Sequence, residues 1–174
     1  MKNIIKSRIV RGVVTRAITD SAPSISSDNE SVGVELKKLI KSRFGRSFHI
    51  REVDTGSCGA CESEIIATTN PIYDIQRFGV DFVASPRHAD ALLVTGPVSK
   101  NMLVALKKTY DATPNPKIVI TIGDCARDGG IFKGSYYIEG GVNSVLSVVL
   151  HVPGCPPQPM DIIKALFAFL KQSL

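Results

Sequence analysis

The stretch "KIVITIGDC", residues 117–125, decides the fold class of this chain. It joins an apolar, β-branched run to a glycine and a cysteine, and such a run is typical of a strand buried on both faces. Similar strand candidates are "SFHIREVD", "VDFVASP", "ADALLVTG" and "SVLSVVLHVP". Helical patterns lie between them, so the sequence predicts an α/β domain with a parallel sheet of about four strands and helices on both faces.

The helical patterns are recognised by the spacing of their apolar residues. Residues 32–44, 99–112 and 158–174 each carry apolar side chains three or four positions apart. A shorter helix is predicted for "CESEIIATT", residues 61–69, and Pro71 ends it. Because the regular pattern begins at residue 32, we expect a single domain over residues 32–174, preceded by an arm and linker over residues 1–31.

Length and composition exclude several classes of protein. The 174 residues suffice for one core, and the 44% hydrophobic and 21% charged residues are typical of a globular chain. No apolar run reaches the roughly 18 residues that a transmembrane helix needs, and no signal peptide is evident. We therefore expect a cytoplasmic chain whose four cysteines are reduced and serve as metal ligands or redox groups.

The net charge of +5 is concentrated near the N-terminus. Residues 1–50 hold ten Lys and Arg against four Asp and Glu, whereas the rest of the chain holds eleven against twelve. This distribution argues against a nucleic-acid-binding face on the body of the domain. The basic residues of segment 1–19 alternate with apolar ones, which suits an anionic membrane surface, a partner protein or a disordered arm, and residues 20–31 resemble a linker.

The cysteines follow the ends of predicted strands. Cys58 comes after the strand at 48–54, Cys125 after the strand at 117–122, and Cys155 after the strand that ends near residue 152. Because the carboxyl ends of parallel strands meet at one edge of a sheet, we expect these cysteines, with Cys61, to converge there.

The spacing of the cysteines favours an iron-sulfur cluster over a single metal ion. Structural zinc sites usually draw on two close pairs, but here 63 residues separate Cys61 from Cys125 and 29 separate Cys125 from Cys155. A cluster is larger and suits ligands from several loops, and the glycines in these loops allow the backbone to approach it. The alternatives are a C-x-x-C redox pair, a structural zinc ion or unrelated buried thiols.

Four motifs carry a family resemblance that covers roughly residues 34–174. They are "GSCGACESEI" (56–65), "QRFGVDFVASPRHADALLVTGPV" (76–98), "PNPKIVITIGDCARDGGIF" (114–132) and "HVPGCPPQP" (151–159). Together they resemble the small subunit of group 4 membrane-bound nickel-iron hydrogenases, of the formate hydrogenlyase type. They are also similar to the homologous 20-kDa subunit of NADH:quinone oxidoreductase, complex I. The C-x-x-C spacing is similar to the hydrogenase branch, because complex I subunits place two adjacent cysteines here.

The resemblance implies a flavodoxin-like fold and one 4Fe-4S cluster, at the C-terminal strand ends, held by Cys58, Cys61, Cys125 and Cys155. Glu64 matches a glutamate of the membrane-bound branch, and the resemblance implies that it relays protons. If residues 61–66 are helical, Glu64 lies one turn on from Cys61 and Glu62 points elsewhere. For either glutamate, the alternative is simple stabilisation of the first helical turn.

The loop "SPRHAD", residues 85–90, is similar to a family loop near the partner's substrate cavity. The resemblance implies that Arg87 and His88 contact the cluster, a quinone headgroup or the large subunit. The alternative is a polar loop anchored by a pair between Arg87 and Asp90.

The function implied by the resemblance is electron transfer within an oxidoreductase complex, with no catalysis by this chain alone. The implied partners are a catalytic large subunit, a ferredoxin-like iron-sulfur subunit and membrane subunits. The implied location is peripheral, on the cytoplasmic side of the cell membrane. Two rival functions remain: a complex I-type subunit that passes electrons to a quinone or other acceptor without nickel, and a non-catalytic zinc-bound assembly protein.

Overall fold

The computed structural model describes residues 25–172, with side chains described from residue 30 onwards. Within this range the main sheet has five strands, all parallel, in the order β2-β1-β3-β5-β7. The strands are β1 (Phe48–Asp54), β2 (Val80–Phe82), β3 (Ala91–Thr95), β5 (Ile118–Ile122) and β7 (Leu150–Val152). The predicted α/β fold with a parallel sheet is confirmed, and the sheet has one strand more than the predicted count of about four.

Helices cover both faces of the sheet. The helices are α1 (Ile25–Phe44), α2 (Ala60–Ala67), α3 (Lys100–Ala112), α4 (Asp124–Asp128) and α5 (Pro159–Gln172). On one face, Leu36 of α1, Ile65 of α2 and Leu166 of α5 join the strand residues of the larger core cluster. On the other face, Leu106 of α3 and Ala126 of α4 join a second cluster. The alternation of side chains along each strand divides the core in this way.

Helix α1 begins earlier than its apolar pattern predicts. It starts at Ile25, so residues 25–31, which the sequence assigned to a linker, are helical. These first turns carry few apolar side chains at core spacing, and for that reason the pattern does not reveal them. Glu30 lies on this segment and pairs with Arg77 at 2.8 Å. The prediction of a basic arm concerns mainly residues 1–24, which lie outside the described residues.

The sheet has two distinct edges. The carboxyl edge is where β1, β3, β5 and β7 end, at residues 54, 95, 122 and 152, and the amino edge is where they begin. A small antiparallel pair, β4 (Val98–Ser99) with β6 (Ile138–Gly140), lies beyond the end of β3. From residue 25 to residue 172, no helix is long and apolar enough to cross a membrane.

Candidate metal centre

The loop that carries Cys58 is fixed to the carboxyl edge by hydrogen bonds from its own polar residues. Asp54, the last residue of β1, accepts hydrogen bonds at Oδ1 from the backbone N–H groups of Gly56 and Ser57, each at 2.7 Å. The buried Thr55 hydroxyl lies 2.7 Å from the carbonyl oxygen of Thr95, at the end of β3. These contacts join the end of β1 to the end of β3, so Cys58 is held above the sheet edge.

The loops that carry Cys125 and Cys155 are bound to each other. Asp124 donates its backbone N–H to the carbonyl of Gly154 at 2.9 Å. Gly154 in turn donates its N–H to Asp124 Oδ1 at 3.3 Å. The two cysteines each neighbour one partner of this reciprocal pair, so hydrogen bonds between the loops set their relative position.

The four predicted cysteines are all free thiols. Burial raises the pKa of Cys61 to about 12, and the next contributions come from the charges of Glu62, Cys125, Cys58 and Cys155. The pKa of Cys125 is also raised, first by burial and then by the charge of Cys155. A hydrogen bond from the backbone of Ile131 has the opposite effect and lowers this pKa. These charge effects on Cys61 and Cys125 indicate that thiols from three separate loops share one region.

Two glycines leave space beside the thiols. A Cβ added to Gly123, whose φ is +87°, would lie 2.6 Å from the Cys61 sulfur. A Cβ added to Gly130, whose φ is +51°, would lie 2.9 Å from the Cys125 sulfur. Both positions therefore require glycine for backbone conformation and for space.

The donor set, four cysteine thiols, fits an iron-sulfur cluster. Cysteine thiolates are the usual ligands of such clusters, and four are available here. In the part of the chain that the structure describes, no three His, Cys, Asp or Glu side chains are gathered closely enough to hold one metal ion.

Glu62 has a buried carboxylate group, and its predicted orientation away from the cysteines stays a prediction. Both of its carboxylate oxygens are buried, and neither has a hydrogen-bond partner among the described residues. Its charge is the largest contribution to the pKa of Cys61 after burial. Glu64 is partly buried on the same helix, and its role as a proton relay stays a prediction.

Arg87 and His88 lie at the amino edge of the sheet, away from the cysteines. Both precede β3, and His49 at the start of β1 contacts the carbonyl of His88 through Nδ1 at 3.1 Å. Strand β3, five residues long, spans about 17 Å between the two edges. Contact of these two side chains with a cluster at the cysteines is therefore excluded by the topology, and contact with a partner stays a prediction.

The alternative predicted for this loop, an ion pair between Arg87 and Asp90, does not form. Asp90 instead accepts two hydrogen bonds from Arg46, at 2.7 and 2.9 Å, and a third from the backbone N–H of His49 at 2.9 Å. A cavity of about 330 Å³ lies here, lined in part by Arg46, His49, Arg87 and His88.

The sequence analysis did not single out Glu52. Glu52 is a half-buried residue of β1, and burial followed by the charge of Glu62 raises its pKa. A signal existed, because Glu52 follows Phe48 and Ile50 at the same two-residue spacing and so lies on the core face of the strand.

A family model described as "NADH ubiquinone oxidoreductase, 20 Kd subunit" matches residues 58–169, a range that includes all four cysteines. The chain belongs to this family. The resemblance inferred from its motifs is thereby confirmed. The matched range runs from the first cysteine into helix α5, so it covers all four thiols of the candidate metal centre.

Relatives with descriptive names include subunits of a membrane-bound hydrogenase, of formate hydrogenlyase and of NADH-quinone oxidoreductase. The chain is 46% identical over 147 residues to the "Probable membrane-bound hydrogenase subunit" of Pyrococcus furiosus, covering 84% of this chain and 87% of that protein. It is 40% identical over 159 residues to formate hydrogenlyase subunit 7 of Escherichia coli, covering 91% of this chain and 58% of that longer protein. The predicted relation to hydrogenase small subunits is confirmed at the level of family.

A solved structure supports the fold. A chain of the membrane-bound sulfane sulfur reductase, described as an archaeal respiratory membrane complex, superposes with a TM-score of 0.66 and 27% identity. The match covers 78% of this chain and 75% of that chain. The predicted flavodoxin-like α/β architecture is therefore confirmed for this family member.

Proposed function

We propose that this chain is the electron-transfer small subunit of a membrane-bound, hydrogenase-like oxidoreductase complex. It holds one 4Fe-4S cluster on Cys58, Cys61, Cys125 and Cys155. The observation that carries the proposal is the convergence of four free thiols from three loops at the carboxyl edge of the sheet. When bound, such a cluster accepts and releases single electrons.

The protein residues prepare the site for the cluster. The hydrogen bonds of Asp54 and Thr55 fix the loop before Cys58, and the reciprocal bonds of Asp124 and Gly154 fix the other two loops. Gly123 and Gly130 keep side chains away from the sulfur atoms of Cys61 and Cys125. Preorganised ligand loops limit the entropy lost on binding and hold the cluster in one orientation.

The exposure of two proposed ligands supports electron transfer to a partner subunit. Cys58 and Cys155 are exposed, so this side of the candidate metal centre lies at the surface of the isolated subunit. Large apolar side chains are exposed close by in sequence, Ile131 at 83% and Tyr136 at 87%. Such a surface suits burial by another subunit. We assign it to a catalytic large subunit, with a ferredoxin-like subunit and membrane subunits in the same complex at the cytoplasmic side of the membrane.

A second candidate is a complex I-type subunit that delivers electrons to a quinone or another acceptor without nickel. The family description and the respiratory complex among the structural neighbours favour it. The C-x-x-C spacing of Cys58 and Cys61 favours the hydrogenase type. Glu64 as a proton relay, and Arg87 and His88 as contacts of a partner, belong to the proposal in either form.

Anaerobic reconstitution of the full chain tests the cluster. We expect about four iron atoms and four acid-labile sulfides per chain, which is the composition of a 4Fe-4S cluster. One zinc ion per chain without sulfide would instead support the assembly-protein alternative. Replacement of any ligand cysteine by serine is the matched control and lowers the iron content.

Isolation of the intact complex through this chain tests the partner. Nickel together with hydrogen uptake supports the hydrogenase form of the proposal. Iron without nickel, together with quinone reduction, supports the complex I-type form. An isolated chain that carries the cluster but captures no larger subunit contradicts both forms.

A further inference from the structure

An apolar groove runs between α1 and α5 on the outer surface of the helical layer, and its volume is about 420 Å³. Its apolar lining comes from Leu39 of α1 and Phe167 of α5, and both side chains are only half-buried. Its polar lining residues are Glu35, Lys38, Ser42 and Lys171. An exposed apolar surface with a polar rim is typical of a site that binds a partner or a membrane.

The rim of this α1–α5 groove is basic. Residues 36–44 of α1 and 164–172 of α5 together hold six basic residues and no acidic one. The two segments lie side by side, since Arg43 donates a hydrogen bond to the carbonyl of Leu170 at 3.4 Å. Glu35 is the acidic residue of the lining, and it precedes the basic segment of α1. An anion that approaches the groove therefore meets an excess of positive charge.

Five of the six basic residues are lysines, and in the described part of the chain none of these lysines pairs with a carboxylate. They are the exposed residues Lys37, Lys38, Lys41, Lys164 and Lys171. The ammonium group of Lys171 lies 5.6 Å from the centre of the Phe167 ring. A lysine in this position covers apolar surface with its stem and keeps its charge in water. The groove thus combines an apolar lining with positive charge that the described residues do not neutralise.

This composition matches the headgroup layer of an anionic membrane better than the surface of a protein. Sites that lie at a membrane interface combine apolar side chains, which enter the acyl boundary, with lysines, which reach the anionic headgroups. Protein interfaces, in contrast, are enriched in arginine and depleted in lysine. The one arginine of the basic segments, Arg43, already donates to the carbonyl of Leu170.

We propose that the α1–α5 groove is a docking surface for anionic phospholipid. Leu39 and Phe167 contact the acyl chains, and Lys38 and Lys171 contact the phosphate groups. The inference rests on the proposed function for its setting, which is a complex attached to a membrane.

The position of the groove is compatible with electron transfer at the cysteines. Leu39 and Phe167 each lie within the last six residues of their helices. Helix α1 ends before β1 begins, and α5 runs back from the end of β7, so both helices end towards the amino edge of the sheet. Lipid docking at this end leaves the exposed Cys58 and Cys155, at the carboxyl edge, free for a partner subunit.

Tryptophan fluorescence tests the contact with lipid, because the unmodified chain contains no tryptophan. Leu39→Trp places a single fluorophore in the groove. Val104→Trp is the matched control, since Val104 is 56% exposed on α3, which packs on the other face of the sheet. The full chain is mixed with vesicles of phosphatidylglycerol and phosphatidylcholine that carry brominated acyl chains. We expect quenching for Leu39→Trp and none for Val104→Trp, and no quenching of either variant by phosphatidylcholine alone.

Vesicle sedimentation measures the contribution of the lysines. Lys38→Gln combined with Lys171→Gln should weaken binding to the anionic vesicles by about 25-fold, since each lysine near such a surface contributes about a fivefold factor. Lys107→Gln combined with Lys108→Gln removes the same charge from α3 and should have a much smaller effect. The basic residues of segment 1–19 also attract such vesicles, so the difference between the two double variants, and not the total binding, reports on the groove.

Three results would overturn the inference: no quenching of Leu39→Trp, equal quenching of both tryptophan variants, or equal effects of the two lysine pairs. Protection of Leu39→Trp from lipid by another subunit, in the intact complex, would identify a protein as the occupant and would also overturn it. A urea midpoint close to that of the unmodified chain confirms that each variant is folded.

Iron and sulfide content of the same samples reports separately on the proposed function. A chain that docks on vesicles through the groove but holds no cluster contradicts the proposed function alone. A chain that holds about four iron atoms but shows no quenching at position 39 contradicts the lipid site alone.

Discussion

Gly123→Ala provides the sharpest test of how the ligand loops are built. The added Cβ would lie 2.6 Å from the Cys61 sulfur, at least about 0.8 Å short of the 3.4 Å at which ordinary contact begins. The atom that must move is the Cys61 sulfur, which is a proposed iron ligand. Alanine at a φ of +87° also strains the backbone.

The expected decrease in the free energy of unfolding is the sum of these two contributions. Backbone strain at such a position costs about 1–3 kcal/mol, and overpacking costs about 1–3 kcal/mol more. Gly134→Ala is a suitable control because Gly134 has a similar φ of +83°, yet an added Cβ would meet nothing within 4 Å. The control should therefore show the strain alone and keep its metal site, while Gly123→Ala should also displace Cys61.

The assay combines urea unfolding of the full chain with iron and sulfide content after anaerobic reconstitution. We expect Gly123→Ala to bind less than half the iron of Gly134→Ala under identical conditions. The reasoning is refuted if both variants bind four iron atoms equally well, because the space beside Cys61 would then be irrelevant to the cluster. Equal loss of iron in both variants would mean that backbone strain, and not the contact with Cys61, causes the loss.

Three further predictions concern stability and the metal centre. Asp90→Ala should lower the free energy of unfolding by about 1–3 kcal/mol, measured in urea, because Arg46 and the His49 N–H lose their acceptor; an unchanged midpoint would contradict this. Cys61→Ser should remove most of the bound iron, measured by metal analysis, without unfolding the chain, and full retention of iron would exclude Cys61 as a ligand. The raised pKa of Glu52 means that the folded state holds a proton more tightly than the unfolded state, so stability should fall as pH rises above the ordinary carboxyl pKa of 4.5. Glu52→Gln should flatten that fall in urea titrations at several pH values, and an identical slope would contradict the assignment.

Several features of the site were predictable because they depend on chain order alone. The apolar strand 118–122 and its neighbours indicated a parallel sheet, and parallel strands require that residues after strand ends meet at one edge. Cys58, Cys125 and Cys155 follow such ends, so their convergence needed no knowledge of packing. The same rule places Arg87 at the opposite edge, because Arg87 precedes β3. The family resemblance instead included contact with the cluster among the implied roles of Arg87.

The role of each glutamate could not be read from the sequence. Glu62 and Glu64 are two positions apart at the start of one helix, and spacing from Cys61 favoured Glu64. Which carboxylate is buried depends on how α2 rotates against the sheet, and this rotation is set by the packing of Ile65 into the core. Small rotations of a short helix exchange buried and exposed positions, so the outcome is tertiary.

By itself, the sequence determined the α/β class, the sheet edge that gathers the cysteines and the family. Each of these follows from the order of apolar, glycine and cysteine residues along the chain. Only the tertiary structure decided that the Glu62 carboxylate is buried without a partner among the described residues, that Glu52 is half-buried and that Asp90 pairs with Arg46. The physical reason is that burial and charge pairing depend on which surfaces meet across the fold, and no local pattern specifies those contacts.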